Sequence, residues 1–109
     1  MATTYKVLGQ IAPSAASATT AYTVPSATQA VVSTITACNQ GAGSANVRIA
    51  VRPDGATIEA KHYVAYDVTV GAGQTAAFTI GVTADASDVI TVQSSTANVS
   101  FNVFGTEIS

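Results

Sequence analysis

Apolar and polar residues alternate with a period of two through most of this chain. In "NVRIAVRP", Val47, Ile49 and Val51 fall on one face and Arg48, Ala50 and Arg52 on the other, until Pro53 ends the run. "AFTIGV" sets Phe78, Ile80 and Val82 against Thr79 and Gly81. "NVSFNVF" sets Val99, Phe101 and Val103 against Ser100, Asn102 and Phe104. The inward sets of these three runs are expected to share one core. "VVSTITAC" behaves differently: Val31, Ile35 and Ala37 lie on one face, while Val32 and Cys38 lie on the other. A strand with apolar residues on both faces is either central in the fold or covered by a neighbouring chain.

Turn signals separate the runs: "VPSAT", "NQGAGSA", "RPDGA", "VGAGQ", "TADASD" and "SSTAN". Their spacing of roughly 8–12 residues is that of an all-β sandwich or barrel. "YTVPSATQAVVSTIT" and "YDVTVGAGQTAAFTI" share an order of Tyr, Val, a small-residue turn, Gln and a strand, so the same corner is expected twice. Residues 11–21 are rich in Ser, Ala and Thr. Pro13 and the β-branched residues there disfavour a helix, so an extended connection is expected. Strands are expected near residues 5–10, 21–24, 30–39, 46–52, 62–67, 75–82, 89–93 and 98–104. About eight strands suit an antiparallel β-sandwich of jelly-roll or Greek-key type. An immunoglobulin-like sandwich is the alternative, although the chain has no Trp and no cysteine pair. Residues 1–109 are read as one domain, with 1–20 as an N-terminal arm and connection.

Charge narrows the picture. Only 9% of residues are charged, against a usual share of about 25%. Solubility then rests on hydroxyls, amides and backbone, and such a surface can be buried without desolvating many ions. Lys6, Arg48, Arg52 and Lys61 are scattered and the net charge is −2, so no basic stripe exists for nucleic acid. No apolar run approaches the ~18 residues of a membrane span. The opening "MATTYKVLGQ" has no apolar signal core, and the single Cys38 fits synthesis in a reducing cytoplasm.

Candidate chemistry is sparse. A nucleophile pair would have to be Cys38 with His62, and no motif surrounds either. Cys38 is read as a small core or interface hydrophobe, and His62 as a surface strand residue. Two potential zinc ligands are too few for a structural site. Asp85 and Asp88 lack the pattern of a calcium loop and are read as turn-forming residues. Asp54, Glu59, Asp67, Asp85, Asp88 and Glu107 show no context for a hydrolytic carboxylate pair. The "GAG" turns at 41–43 and 71–73 match no phosphate loop, and Asn98 of "NVS" lies inside an expected strand. Tyr5, Tyr22, Tyr63 and Tyr66 could build a sugar-stacking platform, but aromatics make up only 6% of the chain. No catalytic, cofactor-binding or metal-binding residue is assigned, and no cofactor or enzymatic activity is expected.

The ordered series "YKVLGQ", "YTVPSATQAVVSTITACN", "VRIAVRPDGA", "HYVAYDVTVGAGQTAAFTIGVTADASDVITV" and "NVSFNVFGTEI" resembles small virion structural proteins of tailed bacteriophages, of the cyanophage and marine-phage type. The resemblance spans nearly the whole chain. It implies a non-enzymatic virion component, favouring a decoration (cement) protein on the outer capsid surface. The implied partners are the major capsid protein or another virion protein, together with further copies of the chain as a homotrimer. Neither nucleic acid nor membrane is among them. Tail, neck or fibre positions, or a surface carbohydrate- or host-binding module, are the alternatives. The segment "MATTYKVLGQ" on its loose tether is expected to pair with a neighbouring protomer's sheet.

Overall fold

The computed structural model describes residues 2–109. Nine strands follow one another: β1 (Thr3–Ile11), β2 (Thr19–Thr23), β3 (Gln29–Asn39), β4 (Ala45–Arg52), β5 (Tyr63–Val70), β6 (Thr75–Phe78), β7 (Val82–Ala84), β8 (Val89–Ser94) and β9 (Val99–Ile108). Two short 3-10 turns, Pro53–Gly55 and Ala60–His62, lie between β4 and β5. The chain is therefore all-β, as the alternation predicts. Residues 12–18 form no helix, and the Ala16 N–H ties this connection to the Ser94 carbonyl at 2.7 Å.

All pairings are antiparallel. One sheet runs β1-β9-β3-β6, with β7 also on β3, and the other runs β2-β8-β4-β5. β6 and β7 continue one another along β3, interrupted at residues 79–81. Counted as one strand, they give the sheet orders first-last-third-sixth and second-seventh-fourth-fifth. This is the double Greek key of a jelly roll. It is not the immunoglobulin order, in which the first strand pairs with the second. The two echoing corners both carry the chain from the second sheet to the first, β2 into β3 and β5 into β6. Each has a positive φ at its third turn residue, 54° at Ala27 and 70° at Gly73.

The core lies between the sheets, and Phe101, Ile35, Ile49 and Ile90 are its largest buried side chains. Val47, Val99 and Val103 join it as their alternation predicts. Val51 is half-buried, and Phe78 and Val82 pack against the core from its rim. Ile80 does not belong to it: the side chain is 46% exposed. The expected strand over 75–82 breaks here, with Gly81 at φ 58°, so the period of two is lost just where it would have turned Ile80 inward. His62 also departs from expectation. It is buried in the 3-10 turn before β5, and its Nδ1 accepts the Glu59 N–H at 3.0 Å.

The two-faced strand has a local cause. β3 shifts register against β9 between Val32 and Thr34, so Ser33 is an extra residue. The bulge changes the phase of alternation, so Val32 and Ile35 both face the core while Val31 is turned to solvent. β1 shifts register between Val7 and Gly9 against the same part of β9. Central β9 is thus flanked by bulges on both sides, that of β3 opposite Phe104–Gly105 and that of β1 opposite Val103–Phe104. Gly105 is required there, since a Cβ would collide with the Val31 carbonyl oxygen. The N-terminal stretch read as an arm is, in this chain, edge strand β1, paired with β9 from Thr3 to Ile11.

Candidate functional site

Register decides which side chains share a surface. Val31 is exposed between buried Ala30 and Val32, so it marks the outer face of the first sheet. Thr106 lies beside Val31, and Tyr5 beside Thr106. Following the pairing, β1 contributes Thr3, Tyr5, Val7 and Gln10 to this face. β9 contributes Ser100, Asn102, Phe104, Thr106 and Ile108. Gln29, Thr34, Thr36 and Cys38 come from β3, with Thr75, Ala77 and Thr83 from β6 and β7. Among the described residues, no charged side chain stands on this face. Its only side chain–side chain hydrogen bond between these residues joins Gln10 Nε2 to Asn102 Oδ1 at 2.7 Å.

The charges lie elsewhere. Arg48, Arg52 and Asp67 occupy the outer face of the second sheet. Asp54, Glu59, Lys61, Asp85 and Asp88 sit in the connections β4–β5 and β7–β8. Lys6 and Glu107 turn to the inner side of β1 and β9, where their ion pair spans 3.3 Å. Glu107 also accepts a hydrogen bond from the Tyr22 hydroxyl at 2.6 Å. That bond, aided by Lys6, holds the Glu107 carboxyl below the usual glutamate range against the opposing effect of burial. Burial first, and then Glu107, push the Tyr22 phenol well above its ordinary value. Composition alone points to none of this, because the partners are far apart in sequence.

A second cluster stands on the outer face of the other sheet. β5 is irregular against β4 at two points, and Asp67 takes φ 53°. The irregularity brings Asp67 onto Arg48, whose Nε donates to Asp67 Oδ1 at 2.6 Å. This hydrogen bond holds the Asp67 carboxyl below the usual aspartate range. The Arg48 guanidinium lies 4.1 Å from the centroid of the Tyr66 ring, a cation–π contact. Tyr63 meets Tyr66 edge to face with centroids 5.0 Å apart. Ile58, Glu59 and Ala60 join the two tyrosines around an open cleft. Of the four tyrosines considered as a platform, the fold therefore unites Tyr63 and Tyr66. Tyr22 is in the core, and Tyr5 lies on the outer face of the other sheet.

The remaining candidates serve local structure. Asp88 accepts the N–H groups of Asp54 and Asp85 with its two oxygens, both at 2.8 Å, which makes it a turn residue as expected. Cys38 is half-buried on the uncharged face, outside the core. His62 belongs to the other sheet's side, with Nδ1 already engaged, so the two do not form a pair. Asn98 lies just before β9, in the turn where its N–H meets Thr96 Oγ1 at 3.4 Å. No protein-family model matches the chain, and a search of curated proteins gives no match.

Proposed function

We propose that this chain is a non-enzymatic structural protein of a phage virion, a decoration protein that docks on the capsid shell. The observation that carries this reading is the absence of charge from the whole outer face of the β1-β9-β3-β6 sheet. Covering that face leaves no ion desolvated and unpaired, which is the main polar cost of forming an interface. The face measures about 600 Å² in plan from strand spacing and length. That is of the order of the ~800 Å² each partner gives to a stable interface. The jelly-roll architecture and the sequence resemblance support the same reading. Fold alone is compatible with many roles, so the weight falls on the face.

The test is binding of the purified protein to particles that lack it, compared with a Val31→Lys variant. Val31 points outward, so the variant is expected to fold normally by circular dichroism. Its particle binding should fall at least about ten-fold, or ~1.4 kcal/mol. Undiminished binding by a folded variant would remove this face from the interface.

One observation favours a second reading, a surface carbohydrate-binding module: the Tyr63–Tyr66 pair buttressed by Arg48. In that case Tyr66→Ala should abolish retention on host polysaccharide, while Val31→Lys leaves it unchanged.

A further inference from the structure

The free edge of β1 has a fixed hydrogen-bonding phase. The Ala2 N–H donates to the Ser109 carbonyl at 2.6 Å, and the Ser109 N–H donates back to the Ala2 carbonyl at 2.9 Å. Residues 2 and 109 are therefore a hydrogen-bonded antiparallel pair, and the register makes Thr4–Glu107 and Lys6–Gly105 the next ones. It follows that Thr3, Tyr5 and Val7 point their N–H and C=O groups away from β9, toward the open edge. No described residue pairs with them there, since β1 is bonded only to β9. The side chains of the same three residues stand on the uncharged outer face, with Tyr5 82% and Val7 45% exposed.

The other sheet edges are blunted. The edge made by β6 and β7 is broken at residues 79–81. β2 has five residues and a register shift between Thr20 and Tyr22. β5 is irregular at two points and carries Asp67 of the Arg48–Asp67 ion pair. Only β1 offers a regular run, Thr3 to Val7, which its own bulge ends at Leu8. An unpaired edge of this kind, with no proline and with its one charge, Lys6, turned inward and paired with Glu107, is a template for another strand.

We infer that the occupant of this edge is a second copy of the same edge, paired antiparallel about a two-fold axis at Tyr5. The three outward residues are evenly spaced and centred on Tyr5, so the edge is complementary to itself. Tyr5 then faces the partner's Tyr5, and Thr3 faces the partner's Val7, with every outward N–H and C=O of the run used. Sliding the pairing by two residues toward Leu8 costs one of these matches, because the run meets the bulge there. Lys6 falls opposite the partner's Thr4, so the one cation of the strand does not meet its own copy. The two five-stranded sheets join into one, and their uncharged outer faces become continuous. Such an interface is isologous and closes at two subunits. A trimer built by adding β1 to a neighbour's sheet needs a second, different edge to receive it, and the blunted edges do not offer one. The inference concerns the free chain and stands apart from the virion reading.

The experiment is sedimentation of the whole chain, alone in solution. Wild type should sediment as a dimer. Tyr5→Pro should be a monomer with unchanged circular dichroism, because the Tyr5 N–H lost to proline points to the edge and not to β9. If Tyr5→Pro fails to fold, Tyr5→Lys decides the same point. Register is read by Tyr5→Cys in a Cys38→Ala background. Paired Cα atoms near ~5.5 Å permit a disulfide across the two-fold. This variant should cross-link on oxidation, and the matching Thr4→Cys variant should not. A wild-type monomer up to about 100 μM, well above ordinary dimer affinities, would overturn the inference. So would a trimer, a Tyr5→Lys variant that remains dimeric, or equal cross-linking at positions 4 and 5.

Discussion

Tyr22 and Glu107 tie the two sheets together through one hydrogen bond of 2.6 Å, from a β2 hydroxyl to a β9 carboxylate. Lys6 completes the group from β1.

This group makes stability depend on pH in two directions. In the unfolded chain Glu107 titrates in the ordinary range, near ~4.3. Its folded value is lower, so its contribution is whole above that range and is lost as pH falls through the folded value. Tyr22 behaves oppositely: its folded value is raised, so its contribution is whole below ~10 and declines as pH rises beyond it. Tyr22→Phe should cost about 1–2 kcal/mol at neutral pH and flatten both limbs of the profile. Urea denaturation from acid to alkaline pH checks this, and an unchanged profile would mean that the hydrogen bond contributes nothing.

Gly105 is the position where the bulges on either side of β9 leave no room for a side chain. Gly105→Ala must push β3 away from β9 to clear the Val31 carbonyl. A loss of about 1–3 kcal/mol is expected, measured by chemical denaturation. Gly43→Ala serves as the comparison, since open space surrounds it, and it should change stability by less than about 0.5 kcal/mol.

Phe101 and Ile80 read alike in the sequence but not in the fold. Phe101 is fully buried, so Phe101→Ala should cost about 3–5 kcal/mol. Ile80 is exposed in the break between β6 and β7, and Ile80→Thr should stay within about 0.5 kcal/mol. Thermal unfolding of the two variants separates them; equal losses would place Ile80 in the core after all.

The period of two made the sandwich legible, because strands with one face in a core must alternate. Val47, Ile49, Val99, Phe101 and Val103 are read correctly for that reason. Bulges are not legible in the same way. Val31 and Val32 are chemically alike, and only the extra residue at Ser33 decides which of them is buried. Ile80 fails because Gly81 reads as a weak strand residue while its positive φ breaks the strand. His62 fails because its partner is a backbone N–H three residues away in a turn, which carries no hydrophobic signal. The candidate face was half visible: scarcity of charge was plain in the composition, but its confinement to one sheet emerges only from the register. The Arg48–Tyr66 contact depends on the irregular β5 and had no signature in the sequence.

The proposed burial of the uncharged outer face of the β1-β9-β3-β6 sheet on a capsid shell is tested most directly by a reconstruction of the particle with this domain located in its density. Val31, Phe104 and Thr106 are then expected to lie against the shell, with Arg48 and Tyr66 turned to solvent. A domain seated through the Arg48–Tyr66 side, or a particle without this chain, would contradict it.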